Sequence, residues 1–198
     1  GQTIDYGPCA FMDAYDEATV FSSIDHAGRY AYGNQPRIVV WNLARLAEAL
    51  LPLLADEPEA AVALATGVLD TFEDRFRAAW LDLQRAKLGL ATAEPGDDAL
   101  IDDLHGVLSA ARLDLTQAHR SLPKVPTADP DGVGDLLGGD PAAVAWIARY
   151  CERLGLEPAG PGAVAASMDR VNPVYIPRNH KVEEALASAV GGDLEPYL

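Results

Sequence analysis

The chain has 198 residues, enough for a buried core, and its 30 acidic against 15 basic side chains give a net charge of −15 at pH 7. A hydrophobic fraction of 49% excludes a disordered chain, and no apolar run approaches the ~20 residues that cross a bilayer. We therefore expect a soluble, cytoplasmic globular protein. Because no Lys/Arg cluster offers a basic face to phosphates, we expect neither nucleic-acid nor membrane partners.

Residues 1–35 show no sustained helical period and are rich in Tyr, Gly and small polar residues. Within them, Asp5 follows a short apolar run and precedes Tyr6 and Gly7. This is the layout of the kinase Asp-Phe-Gly element, whose acid holds the Mg²⁺ that bridges nucleotide phosphates. The tripeptide alone is weak evidence, since a plain turn has the same composition.

From residue 36 onward the pattern is helical. Pro36 suits a first helical position, and the apolar residues after it recur every 3.6 residues. A longer amphipathic pattern follows Pro58, continues to Leu83 and is stopped by Gly89. Further helices are predicted over 97–111, 113–122, 141–154, 161–171 and 179–190, the last capped by Asn179. With a loop predicted near 123–140 and no convincing strand, the fold class is mainly α.

Other clusters of chemical groups favour structural interpretations. The acidic stretch 97–103 resembles helices that hold Mg²⁺ for diphosphate substrates, but that chemistry needs a second, facing acidic cluster, so we interpret it as a solvated helix start. The histidines do not follow metal-ligand spacing, and each is interpreted as structural; they are His26, His105, His119 and His180.

The two cysteines, Cys9 and Cys151, lie far apart in sequence and follow no metal-ligand spacing. Two reduced, mostly buried thiols in a cytosolic protein are the favoured interpretation. A disulfide between them is the less favoured alternative.

Longer motifs change the interpretation of Asp5. Together they resemble the selenoprotein O (YdiU) family, over essentially the whole chain and most weakly in 91–140. The motifs that carry the resemblance are 3–16, 23–32, 34–36, 41–50, 87–90, 172–180 and 182–186.

The resemblance implies the incomplete C-lobe of a protein-kinase-like (pseudokinase) fold, with an activation-segment-like stretch over 1–35 and a helical region over 36–198. It also implies transfer of AMP from ATP to Ser, Thr or Tyr hydroxyls of proteins, with Mg²⁺. Asp5 matches the family's metal-binding acid, and through the metal it would contact ATP.

The resemblance assigns less definite roles to other residues, and no catalytic residue is assigned in this chain. Asp25, His26 and Arg29 match the activation-segment region and are expected to organise it. A family motif near the C-terminal end, which we interpret as structural, contains Arg178, Asn179 and His180.

The family's nucleotide-clamping Lys and Glu, phosphate-binding arginines and catalytic loop all precede the segment that matches this chain. We therefore expect the C-terminal portion of a longer adenylyltransferase, inactive alone; the alternative is a catalytically silent helical interaction module. ATP and protein substrates are partners expected of the intact protein.

A truncated C-lobe should leave an apolar face uncovered, on 38–54 or near Phe11 and Met12, so we expect self-association or a disordered segment 1–35.

Overall fold

The computed structural model describes residues 11–22, 24–127 and 130–197. Helices account for most of these residues, and within them β-pairing is limited to a single bridge between Ala14 and Asp114. The prediction of a mainly helical protein is confirmed. The expected short pairing near 3–5 lies outside the described residues. In the described part of the chain, no helix combines the length and apolarity needed to cross a membrane.

The α-helices of the described residues are α1 Gln35–Leu54, α2 Pro58–Leu69, α3 Phe72–Lys87, α4 Asp97–Ala110, α5 Leu115–Ser121, α6 Pro130–Leu136, α7 Pro141–Leu154, α8 Pro161–Val171 and α9 Asn179–Val190. Short 3₁₀ helices lie at Tyr32–Asn34, Leu122–Lys124 and Glu195–Tyr197. Among the described residues two compact units form: one contains 17–83, and the other contains 11–16 and 84–197.

The predicted long helix after Pro58 is two helices, α2 and α3. At the break, the Thr71 hydroxyl and the Thr71 backbone N–H both donate to the Val68 carbonyl, at 2.8 and 3.2 Å. In an unbroken helix that carbonyl would accept from Phe72 instead. The 3.6-residue apolar pattern continues through the break. The hydrogen bond of the Thr71 side chain competes with the helix without changing that pattern, so the pattern does not predict the break.

The predicted loop near 123–140 also contains a helix, α6. Pro130 occupies its first turn, where the missing N–H costs nothing. Val133 in α6 and Leu137 just after it are fully buried, and α6 packs against α7. Burial of these two side chains stabilises a helix that a run of Pro, Gly and Asp does not predict.

The core of the second unit forms around α7. Trp146 and Tyr150 are fully buried and stacked with ring centroids 4.8 Å apart. Trp146 Nε1 donates to the Leu100 carbonyl at 2.7 Å, and the Tyr150 hydroxyl donates to the Leu88 carbonyl at 2.7 Å. Gly89 next to Leu88 has φ +73°, and a Cβ there would meet side-chain atoms of α8 at 2.9 Å. Only glycine suits this close approach.

In the first unit, α1, α2 and the start of α3 leave an apolar groove of about 650 Å³. Exposed side chains line it: Leu46 is 54% exposed, Leu64 55% and Val68 69%. The uncovered apolar face expected on 38–54 is therefore present in this structure. At the other expected position Met12 is buried, while Phe11 is partly exposed.

We expect the isolated chain to self-associate through this groove, because exposed apolar area of this kind favours association. Val68→Lys should weaken the association by placing a charge in the groove. Leu53→Lys is the matched control, since Leu53 is 80% exposed and does not line the groove. Light scattering over a concentration series measures the effect. A monomeric wild-type chain, or equal shifts in both variants, would contradict this expectation.

Candidate functional site

Residues 11–16, which follow Asp5 in sequence, are held by the connection between α4 and α5. The Tyr15 N–H donates to the Leu113 carbonyl at 2.9 Å, and the Leu115 N–H donates to the Asp13 carbonyl at 2.8 Å. Tyr15 is buried. The segment that follows the predicted metal ligand in sequence is thus bonded through its backbone to the connection between α4 and α5. Asp5 itself lies outside the described residues.

The start of α9 anchors the same segment through two side chains. Arg178 Nη1 donates to Asp13 Oδ1 at 2.5 Å and also to the Asp114 carboxylate. The Asn179 side-chain amide donates to the Phe11 carbonyl at 3.2 Å and accepts the Phe11 N–H at 3.4 Å. The prediction of Asn179 as the helix cap is therefore wrong: Arg178 occupies the N-cap position without a capping side-chain bond. The Asn179 amide is engaged by the distant residue Phe11.

Asp114 serves two elements at once. Its carboxylate accepts the Gln117 N–H at 2.7 Å, which caps α5, and it also pairs with Arg178. Burial acts to raise the pKa of Asp114, but the hydrogen bonds from Arg178 and Gln117 outweigh it and hold the pKa below its ordinary value. Asp13 and Asp114 were not predicted as partners of this anchor; the available signal was Arg178, in the motif 172–180 that was interpreted as structural.

Arg178→Gln is expected to destabilise the chain by about 1–2 kcal/mol, since it removes charge-assisted bonds that are only partly exposed. Amide exchange at Phe11 and Tyr15 should accelerate more than exchange in α7. Urea unfolding and hydrogen exchange measure both effects. Arg170→Gln, at an exposed arginine of α8, is the control. Unchanged stability together with unchanged exchange at Phe11 and Tyr15 would contradict the anchoring role.

Asp25, His26 and Arg29 lie on one turn. The Asp25 carboxylate accepts two backbone N–H groups, of Arg29 at 2.8 Å and of Tyr30 at 2.7 Å. Gly28 in this turn has φ +65°, a conformation that favours glycine. His26 is exposed. The Arg29 guanidinium carbon lies 4.7 Å from the ring centroid of Trp41 in α1.

The interpretation of 97–103 as a solvated helix start is wrong for Asp97, which is 2% exposed. Its carboxylate accepts from Arg153 Nε at 2.6 Å and from Arg85 Nε at 2.8 Å. Arg153 also donates to Glu157 at 2.8 Å and to the Thr92 carbonyl at 2.7 Å. Burial raises the pKa of Asp97, but the arginine bonds outweigh it, so that its pKa lies below its ordinary value. Fully partnered in this way, these residues form a structural cluster.

His119 and Cys151 are poorly suited to acid–base or nucleophilic chemistry. Burial lowers the pKa of His119 to about 4, so the ring is neutral at pH 7, and its Nδ1 lies 2.8 Å from the Leu115 carbonyl. Cys151 is half-buried, and burial raises the pKa of its thiol. Cys9 lies outside the described residues. The interpretation of His119 as structural fits this environment.

The described residues contain no group of three or more His, Cys, Asp or Glu side chains that could hold a metal ion. Asp5, the predicted Mg²⁺ ligand, is outside them. Its carboxylate is the donor type that Mg²⁺ prefers, so the residue type fits the ion.

Comparison with known proteins identifies the family. The chain matches the family described as "Protein adenylyltransferase SelO" over residues 1–197. It is 54% identical over 198 residues to the protein nucleotidyltransferase YdiU of Cereibacter sphaeroides and 50% identical over 201 residues to that of Rhizobium etli. The alignments cover 100% of this chain and 40% of each relative, so the chain spans about two fifths of their length. This chain belongs to the SelO family of protein adenylyltransferases.

Proposed function

We propose that the parent protein transfers AMP from ATP to Ser, Thr or Tyr hydroxyls of other proteins. The observation that carries the proposal is the family match over 1–197, supported by relatives of about 50% identity that are named protein nucleotidyltransferases. In the proposed reaction the hydroxyl oxygen attacks the α-phosphorus. The bond from that phosphorus to the oxygen bridging to the β-phosphate breaks, pyrophosphate leaves, and the hydroxyl proton passes to solvent.

Asp5 is proposed as one oxygen ligand of Mg²⁺ and, through it, as a contact to ATP. The ion would supply positive charge that neutralises the phosphates. Asp25, His26 and Arg29 are proposed to organise an activation-segment-like stretch within 1–35. The paired backbone bonds of the Asp25 carboxylate support this role, since they close the turn that carries all three residues.

The region 36–198 is proposed as part of a kinase-like C-lobe, and the whole 198-residue chain is proposed to be catalytically silent by itself. A single metal-binding carboxylate does not fix ATP in a reactive geometry, because phosphate-transfer chemistry depends on positioning and charge stabilisation together. Calorimetry of the 198-residue chain with ATP and Mg²⁺ should show no measurable binding. Micromolar binding would contradict the silent state.

The experiment that tests the function uses the full-length protein and ATP labelled at either the α- or the γ-phosphorus. Transfer of AMP places the α-label on protein and leaves the γ-label in pyrophosphate. Incorporation of the γ-label would instead show a protein kinase. Absence of both labels from protein, with a folded enzyme and Mg²⁺ present, would overturn the proposal.

A further inference from the structure

One face of α1 carries a group of basic side chains around an exposed aromatic ring. Arg37, Trp41 and Arg45 are spaced four residues apart and therefore share a helix face. The guanidinium carbons of Arg29 and Arg45 lie 4.7 and 5.5 Å from the Trp41 ring centroid. Trp41 is 48% exposed. We call Arg29, Arg37, Trp41 and Arg45 the Trp41 surface.

This surface carries three guanidinium groups, on a chain of net charge −15. Among the described residues, no carboxylate pairs with the guanidinium of Arg29 or Arg37. Asp25 binds the backbone of the turn instead, and Arg45 pairs with Glu48 at 2.5 Å. Two guanidinium groups that have no carboxylate partner among the described residues lie beside an exposed tryptophan, and this arrangement suits an acidic partner.

We propose that the Trp41 surface binds an acidic segment of the protein that receives AMP; the inference rests on the proposed function. Guanidinium groups bind carboxylates in a bidentate manner, and one stacked on an indole ring is already partly ordered, so less side-chain entropy is lost on binding. Tryptophan and arginine are also enriched among the few residues that supply most of the binding energy of protein interfaces.

A protein segment fits better than a nucleic acid. The overall charge of −15 repels a polyanion along its whole length, whereas a short acidic segment brings only a few charges to the positive face. The exposed part of the Trp41 ring offers apolar area to the aliphatic or aromatic side chains between the acids.

Binding is tested with a fluorescent Glu-rich peptide and with the same peptide carrying Gln in place of Glu, titrated against the 198-residue chain. The Glu peptide should bind more tightly, and more weakly as salt rises. The double variant Arg29→Gln/Arg37→Gln should weaken binding about fivefold or more. Arg170→Gln, at an exposed arginine of α8, should leave it unchanged. Melting curves verify that each variant is folded.

In the full-length protein, Arg37→Gln, which leaves the turn of Asp25, His26 and Arg29 intact, should raise KM for an acidic protein substrate and leave kcat unchanged. Equal binding of both peptides, an unchanged KM, or tighter binding of an oligothymidine than of the Glu peptide would overturn the inference. If the peptide results hold and no AMP is transferred, the acidic-peptide site stands and the proposed function fails. If AMP is transferred and KM is insensitive to Arg37→Gln, the function stands and the inference fails.

Discussion

Asp5→Ala in the full-length protein should lower AMP transfer at least about a hundredfold and leave the fold intact. The carboxylate is proposed to hold the ion that balances the phosphate charge, and an alanine supplies neither an oxygen ligand nor a negative charge. Asp5→Asn should be nearly as damaging, since the amide keeps the shape and loses the charge. Transfer of α-labelled AMP at saturating ATP measures the rate, and the Mg²⁺ dependence of the melting temperature gives a second readout.

Asp56→Asn is the control for this experiment, because Asp56 is an exposed acid between α1 and α2 and has no proposed role. It should transfer AMP at the wild-type rate. Transfer at the wild-type rate by Asp5→Ala would remove Asp5 from the mechanism, whatever the family match implies.

The largest effect on stability is expected at the buried cluster of Asp97. Asp97→Ala should lower the free energy of unfolding by about 3–5 kcal/mol, because it leaves the guanidinium of Arg153 buried without its main partner. The protein contains its own control: Asp103 in α4 and Arg149 in α7 form an ion pair at 2.7 Å between the same two helices, with both side chains about half exposed. Asp103→Ala should therefore cost about 0–1 kcal/mol.

The same cluster predicts how stability depends on pH. The pKa of Asp97 is lower in the folded than in the unfolded chain, so its contribution is fully present above the unfolded value of about 4. The contribution is lost as the pH falls from there through the folded pKa. The wild type should therefore lose stability on acidification more steeply than Asp97→Asn. Urea unfolding from neutral to acidic pH measures both slopes, and parallel curves would contradict the assignment.

Local signals in the sequence were sufficient for several helices. Asp140 followed by Pro141 predicts the start of α7, and the Asp140 carboxylate accepts the Ala143 N–H at 2.8 Å. Pro36 likewise predicts the start of α1, which begins at Gln35. Caps, first-turn prolines and the 3.6-residue period involve groups within one or two turns, so that neighbouring residues carry all the information.

The candidate site was only partly predictable. Motif spacing placed Asp25 and Arg29 in one segment, and they lie on one turn; the role of Asp5 stays a prediction. The pairing of Arg178 with Asp13 joins residues 165 positions apart, and no pattern in the sequence connects them.

The sequence by itself determined the helical class and the SelO family. The 3.6-residue apolar period, the helix caps and the long motifs each consist of residues that are close together in sequence. Only the tertiary structure decided which charged side chains are buried and which charged side chains lie next to one another. The sequence predicts a solvated Asp97, but in the folded chain Arg85 and Arg153 bind its carboxylate in the interior. The arginines around Trp41 come together because the turn that carries Arg29 lies against α1. Burial and electrostatic pairing depend on distances between residues far apart in the chain, and folding sets those distances.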